Sequence, residues 1–244
     1  MESSRIKAFL WHLGASLLIA SVAVALVFGV WYPAPLHVAL GVTNIFLLML
    51  LVDVVIGPCL TFFVYKKGKK ALLFDMGVIV FLQLSALVYG LWAVAEGRPA
   101  WVVFNVDRFD LVQVVDIEQR SIGEAPEDYR DAPWFGPGWV GAIKPESARR
   151  LNELLFESVM GGADMAQRPE LYRPLSGFST QIRSRAKGIA ELSEYNDAAA
   201  IEKALSDWPH ADGWLPMMAR VKPMVVLLTK SNGQVLGVVD LNPW

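Results

Sequence analysis

The stretch Lys66-Lys67-Gly68-Lys69-Lys70 decides the fold. It separates two apolar runs, about residues 39–65 and 72–95, and a third run, about 8–31, precedes them. Each exceeds the roughly 20 residues needed to cross the hydrocarbon of a bilayer. Short lysine-rich loops stay on the cytoplasmic side. Arg5 and Lys7 put the same signature before the first run, and the short loop 33–38 carries no Lys or Arg. Trp31, Tyr32, Trp92 and Trp101 fall at or near the opposite interface, where amphipathic rings settle. The pattern predicts three crossings, a cytoplasmic N-terminus and an extracytoplasmic C-terminal part. A cleaved signal peptide fits the first run poorly, because its apolar stretch is too long and ends in Trp31-Tyr32-Pro33, not in small residues.

Working outward, charge separates the two parts. Residues 1–97 hold six Lys/Arg and four Asp/Glu; residues 98–244 hold sixteen and twenty. The predicted division is a three-helix transmembrane domain over 1–97 and a periplasmic α+β domain over 98–244. The second part is long enough for one core. Its slight acidity, with no basic patch, argues against nucleic acid as a partner. The single cysteine, Cys59, lies in an apolar run, so the outer domain has no internal disulfide. His12, His37 and His210 are scattered and no Cys/His cluster exists, so no metal or other cofactor is expected.

Several residues inside the spans stand out. Asp53 lies near the middle of the second span, where a carboxylate costs on the order of 3 kcal/mol on insertion scales. Gln83 lies at similar depth in the third, and a hydrogen bond between the two side chains is the expected resolution. A partner-binding carboxylate and a proton relay are the alternatives; His12 sits too near the cytoplasmic end to extend a relay obviously. Gly57-Pro58 follows one turn later, and Pro58 frees the carbonyl of Val54 and is expected to kink the span. Ser21, Ala25 and Gly29 recur at four-residue spacing, and Ala86 and Gly90 form a second small pair. Such faces let helix backbones approach closely, within this chain or against a partner.

In the outer domain, 101–106 and 111–117 read as strands around a turn at 107–110. Residues 122–141, rich in Pro, Gly and Trp and including Trp134, Phe135 and Trp139, read as an ordered aromatic loop that packs, lies on the bilayer or receives a partner. Helical periodicity covers 145–159 and 187–205. Strands at 224–229 and 234–241 flank Asn232-Gly233, a strong hairpin signal. These elements predict a small domain with one antiparallel sheet. Catalytic signals are thin. Ser184-Arg185-Ala186-Lys187 has the S-x-x-K form without its companion motifs, and His210 near Asp212 reads as turn chemistry. No catalytic residue is assigned.

Four blocks carry a resemblance. They are Asp53-Val54-Val55-Ile56-Gly57-Pro58-Cys59-Leu60-Thr61-Phe62, Lys69-Lys70-Ala71-Leu72-Leu73-Phe74-Asp75, Gln83-Leu84-Ser85-Ala86-Leu87-Val88-Tyr89-Gly90, and Arg98-Pro99-Ala100-Trp101-Val102-Val103-Phe104-Asn105-Val106-Asp107-Arg108-Phe109. In this order they resemble the TfpX/TfpZ-type type IV pilin accessory proteins, densely from about residue 5 to 118. The resemblance implies a bacterial inner-membrane, chaperone-like protein that assists assembly or stability of a cognate type IV pilin, among membrane lipid and other pilus assembly proteins, without catalytic residues. A proton-coupled transporter or channel component using Asp53, and a membrane-anchored envelope sensor, are the competing classes.

Overall fold

In the computed structural model, which describes residues 2–244, the apolar runs are helical. Helix α1 spans Glu2–Leu26 and continues as one π-helical turn, Val27–Trp31. A short helix α2, Leu36–Ala39, precedes α3, Val42–Val64, and α4, Leu72–Glu96. Three helical segments, Ser3–Trp31, Val42–Val64 and Leu72–Glu96, are long and apolar enough to cross a membrane. The chain divides into two units. One holds the residues up to Val30 together with Val42–Glu96; the other holds Trp31–Gly41 and Gly97–Trp244.

In the helical unit, α1 and α4 each pack along α3. The buried positions of α3 include Phe46, Leu50, Asp53, Gly57 and Thr61, at spacings of three and four, which place them on one face. Its other faces present Leu47, Leu48, Leu51, Val55 and Phe63 outward. Helix α3 runs from Val42 to Val64 with Pro58 inside it. The Arg5 guanidinium Nε donates to the Tyr65 carbonyl at 2.8 Å and so satisfies a backbone acceptor just past the end of α3. At the start of α4, Asp75 pairs with Lys69 at 2.5 Å, an acid where the helix dipole favours one.

The segment 31–41, which looks from sequence like a plain loop between spans, folds as part of the C-terminal lobe. Tyr32, Leu36 and Ala39 are buried. The Ala39 carbonyl accepts from the backbone amides of Val221 and Lys222, both at 3.1 Å. Gly41 has φ +69°, and a side chain there would press on Val221.

The lobe is built on an eight-stranded sheet. Its strands are β1 Pro99–Asn105, β2 Arg108–Gln113, β3 Gly138–Ala142, β4 Tyr172–Pro174, β5 Lys187–Gly188, β6 Gly213–Met218, β7 Met224–Thr229 and β8 Gln234–Val239. The order is β4-β3-β1-β2-β6-β7-β8, with β5 paired to β6. The sheet is mixed, not antiparallel as the residue pattern predicts. Strands β1 and β3 run parallel, as do β2 and β6. Hairpin signals report only local pairs; long crossovers bring β3 and β6 back in the parallel sense. All seven residues of β1 are buried, as expected of a central strand covered on both faces.

Helix α5, Ala148–Val159, sends Leu154 into the core under β1 and β3, where Trp101, Val103, Val140 and Tyr172 also pack. On the other face of β1, Phe104 meets Phe109 and Phe178, the latter beside the short helix α6, Ser179–Arg185. A second core gathers Leu192, Trp214, Val225 and Leu227 against Ile201 and Leu205 of α7, Ala198–Leu205. The helix predicted over 187–205 is therefore divided into β5, a 3-10 segment Ile189–Glu194 and α7. Asn196 makes the break: its carboxamide donates to the carbonyls of Leu192 and Asn242. The first hairpin turn is also tighter than predicted, with β2 already begun at Arg108. Val106 takes φ 63°, a strained conformation for a β-branched residue. The Asp110 carboxylate clamps that turn by accepting from Asn105 at 2.9 Å and Arg108 at 3.0 Å.

A polar candidate cleft between three helices

The buried face of α3 carries Asp53, Gly57 and Thr61 one turn apart each. Helix α1 offers His12 and Ser16 at the same four-residue step, and α4 offers Gln83. These residues meet. Gln83 Nε2 donates to the Asp53 backbone carbonyl at 2.7 Å and to Ser16 Oγ at 3.3 Å. A carbonyl only accepts, so this contact fixes the carboxamide's orientation. Gln83 Oε1 then faces His12 Nε2 at 3.0 Å, and that nitrogen must donate. The second ring nitrogen, Nδ1, lies 2.5 Å from Thr61 Oγ1. In the neutral imidazole Nδ1 accepts the threonine proton. Gly57 makes the approach possible: a Cβ there would overlap the Gln83 carboxamide.

The expected Asp53–Gln83 side-chain pair is thus not formed. Gln83 reaches Asp53, but at its backbone carbonyl. The Asp53 carboxyl oxygen Oδ2 is buried without a hydrogen-bond partner among the described residues, and Asp53 is only 8% exposed. It lines a cleft of about 170 Å³ whose walls are Ser16 and Ile19 of α1 and Val80 and Leu84 of α4, with Leu50 of α3 beside the acid. Apart from the polar network, that lining is apolar. An unpaired acid in such surroundings is costly, and so is informative.

The remaining candidates are dispersed. Ser21, Ala25 and Gly29 lie on an exposed face of α1, where Ser21 Oγ donates back to the Leu17 carbonyl at 2.8 Å. Nothing approaches the space beside Gly29, whereas the space beside Gly90 is filled by Met49 of α3. Ala86 is exposed on α4. Lys7, Lys66, Lys67 and Lys70 are exposed. In the lobe, Trp139 belongs to β3, not to a loop, and packs edge-on against Phe109. Phe135 is 87% exposed. Trp134 lies under the Arg98 guanidinium, 4.3 Å from its ring centre, and 6.4 Å from the Trp31 ring. Burial pushes the nearby Tyr32 hydroxyl above its ordinary range, and the positive charge of Arg98 opposes that shift. Asp212 accepts from the Lys230 amide at 2.5 Å and so braces the last hairpin. Ser184 Oγ donates to the Gln181 carbonyl at 2.8 Å.

His12 is the member that sequence reasoning set aside. Its distance from the N-terminus suggested a peripheral position. The signal was its one-turn spacing from Ser16, which gives α1 a polar stripe matching that of α3.

Three long apolar helices with a polar cleft, joined to a mixed-sheet lobe, give the architecture of a multi-pass membrane protein. The family model for the fimbrial assembly protein FimB matches residues 3–41, which cover α1 and the segment docked in the lobe. Over 240 residues the chain is 33% identical to the serogroup E1 fimbrial assembly protein of Dichelobacter nodosus, covering 95% of this chain and 93% of that one. It is 34% identical to the serogroup I protein of the same organism over 182 residues, 74% of this chain and 70% of the other. The serogroups C1 and C2 protein is 37% identical over 116 residues, 47% of this chain and 88% of the relative. No solved structure matches the chain. The chain belongs to the fimbrial assembly protein family.

Proposed function

We propose that this protein is a TfpX/TfpZ-type accessory factor of the bacterial inner membrane that assists assembly or stability of its cognate type IV pilin. The observation that carries the reading is the likeness to a fimbrial assembly protein over 95% of the chain. The geometry supports a division of labour. The apolar helices span the lipid, N-terminus inside, and hold the pilin's apolar helix. The lobe lies on the periplasmic side and contacts the pilin head, with Trp134 and Phe135 as an exposed aromatic edge. Packing of 31–41 into the lobe supports this topology, because three crossings put that segment and the C-terminal part on one side. Two modest contacts on one partner reinforce each other through effective concentration.

Deletion of the gene tests the reading. Surface pili are expected to be lost or strongly reduced, with pilin abundance scored separately to distinguish failed assembly from failed stability. Site-specific crosslinkers at Ile19 of α1 and at positions 134–139 are expected to capture pilin. Capture from none of them, together with normal piliation in the deletion strain, would reject the proposal. A reporter fused after Trp244 is expected to be active in the periplasm.

A further inference from the structure

We propose that the cleft between α1 and α4 is the seat of the pilin helix, and that Asp53 at its floor accepts a hydrogen bond from a donor-bearing side chain on that helix, a hydroxyl, a carboxamide or an amine. The inference rests on the pilin-binding reading above and specifies its chemistry. Hydrogen-bond accounting leads to it. The carboxamide of Gln83 has both its donor and its acceptor sides engaged, and both nitrogens of His12 have partners. Ser16 and Thr61 are tied into the same chain. Asp53 is 8% exposed, and its carboxyl oxygen Oδ2 is buried without a partner among the described residues.

Gln83 cannot supply that partner, because its carboxamide is committed to the backbone carbonyl and wedged against Gly57. Lipid tails offer no donor. The other polar residues of the cleft, His12, Ser16 and Gln83, are engaged with one another, so a water beside Asp53 finds few free partners. A fourth helix fits both requirements: its apolar side chains cover Ile19, Val80 and Leu84, and one donor reaches the acid. The cleft, about 170 Å³, accommodates one side chain, not a second helix backbone. The occupant is therefore a helix lying along the cleft with a single polar residue inserted. Because lipid tails are as apolar as the helix surface, that polar contact fixes the register of the pair.

The test uses the full-length protein co-expressed with its pilin, in membranes, after Cys59→Ser removes the exposed native thiol. Cysteines at Ile19 and Leu84 report on the cleft, and a crosslinker at Phe135 reports on the lobe. Asp53→Leu is expected to lower cleft crosslinking at least tenfold and leave the lobe crosslink within twofold. Asp53→Asn, which keeps an acceptor, is expected to retain at least half of the cleft signal. Changing each polar residue of the pilin helix to Leu should find one position with the same tenfold loss, and that loss should not add to Asp53→Leu. Unchanged cleft crosslinking in Asp53→Leu, or loss only of cleft-to-lipid adducts, overturns the inference while the lobe crosslink keeps the pilin-binding reading alive. Loss of both crosslinks in wild type defeats both. Should Asp53→Leu fail to accumulate, Ala20→Phe, which fills the cleft beside an intact network, is expected to give the same selective loss; its failure to do so overturns the inference.

Discussion

The two units differ in what they bury: among Phe46 and Leu50 the helical unit also encloses polar groups, whereas the centre of the lobe is almost wholly apolar. Helix α3 buries Asp53, Gly57 and Thr61 and turns Leu47, Leu51, Val55 and Phe63 outward. Strand β7 buries Met224, Val225, Val226, Leu227 and Leu228 in succession, and the charged residues of the lobe lie mostly at its surface. In water, burying apolar area drives folding, at about 25 cal/mol per Å². Among apolar helices in an apolar solvent that drive vanishes, and close packing and hydrogen bonds decide which helices meet. The lobe is therefore held by volume, and the helical unit by a few directional contacts. A missing contact in the lobe is a cavity, whereas a missing contact among the helices is an unmet hydrogen bond, as at Asp53.

The contrast is most exposed to failure at the largest core residue. Trp214 is fully buried, donates from Nε1 to the Gly188 carbonyl at 2.9 Å, and carries Lys187 Nζ 4.8 Å from its ring centre. Trp214→Ala is expected to destabilise the lobe by about 3–5 kcal/mol. Urea unfolding of the full-length protein in detergent, followed by near-ultraviolet circular dichroism, measures it. A loss below about 1 kcal/mol would mean that the lobe, too, depends on directional contacts and would dissolve the distinction.

A smaller effect tests the helices. Gly57→Ala raises helix propensity by about 1 kcal/mol in isolation. Here its Cβ displaces the Gln83 carboxamide and breaks the chain to His12 and Asp53. The expected net result is a destabilisation of about 1–2 kcal/mol, the scale of hydrogen bonding between membrane helices. Gly29→Ala, facing open space, is expected to be neutral within about 0.5 kcal/mol. In a Gln83→Ala background the Gly57→Ala penalty should disappear, because the obstructed group is gone. Thermal denaturation midpoints in detergent read all four variants. A persistent penalty would place the cost in the α3 backbone, not in the network.

How much of this was legible follows from which contacts are local. The Asn232-Gly233 turn and its two strands could be read, because the turn's backbone demands are written in two adjacent residues; Gly233 indeed takes φ +73°. Parallel pairing of β1 with β3 could not, since nothing near Trp101 names Gly138 as its neighbour. The 187–205 helix misled because Ile189, Leu192, Ile201 and Leu205 keep helical spacing across a break made by Asn196 through the distant Asn242. In the cleft, depth counting brought Asp53 and Gln83 together correctly. It could not say which atoms would bond, because that depended on Gly57 drawing α4 close and on His12 claiming the Gln83 oxygen. Segment 31–41 has no periodic signature at all; its packing is fixed by Val221 and Lys222, far along the chain.

The smallest expected effect sharpens the comparison from the aqueous side. The Glu118 carboxylate accepts from the Arg120 side chain at 2.7 and 3.0 Å and from its backbone amide at 2.9 Å. These bonds hold its carboxyl at about 2, below the ordinary value of about 4.3. The folded-state pKa is depressed, so the contribution is complete above the ordinary value and is lost as pH falls through about 2. Arg120 is three-quarters exposed, so screening by water and salt keeps the contribution small. Between pH 4.5 and 2, Glu118→Gln is therefore expected to lose slightly less stability than wild type, with the difference shrinking in about 1 M salt. Urea midpoints at several acid pH values measure it. Parallel decline of the two proteins would show that this charge pair contributes nothing measurable to the lobe's stability.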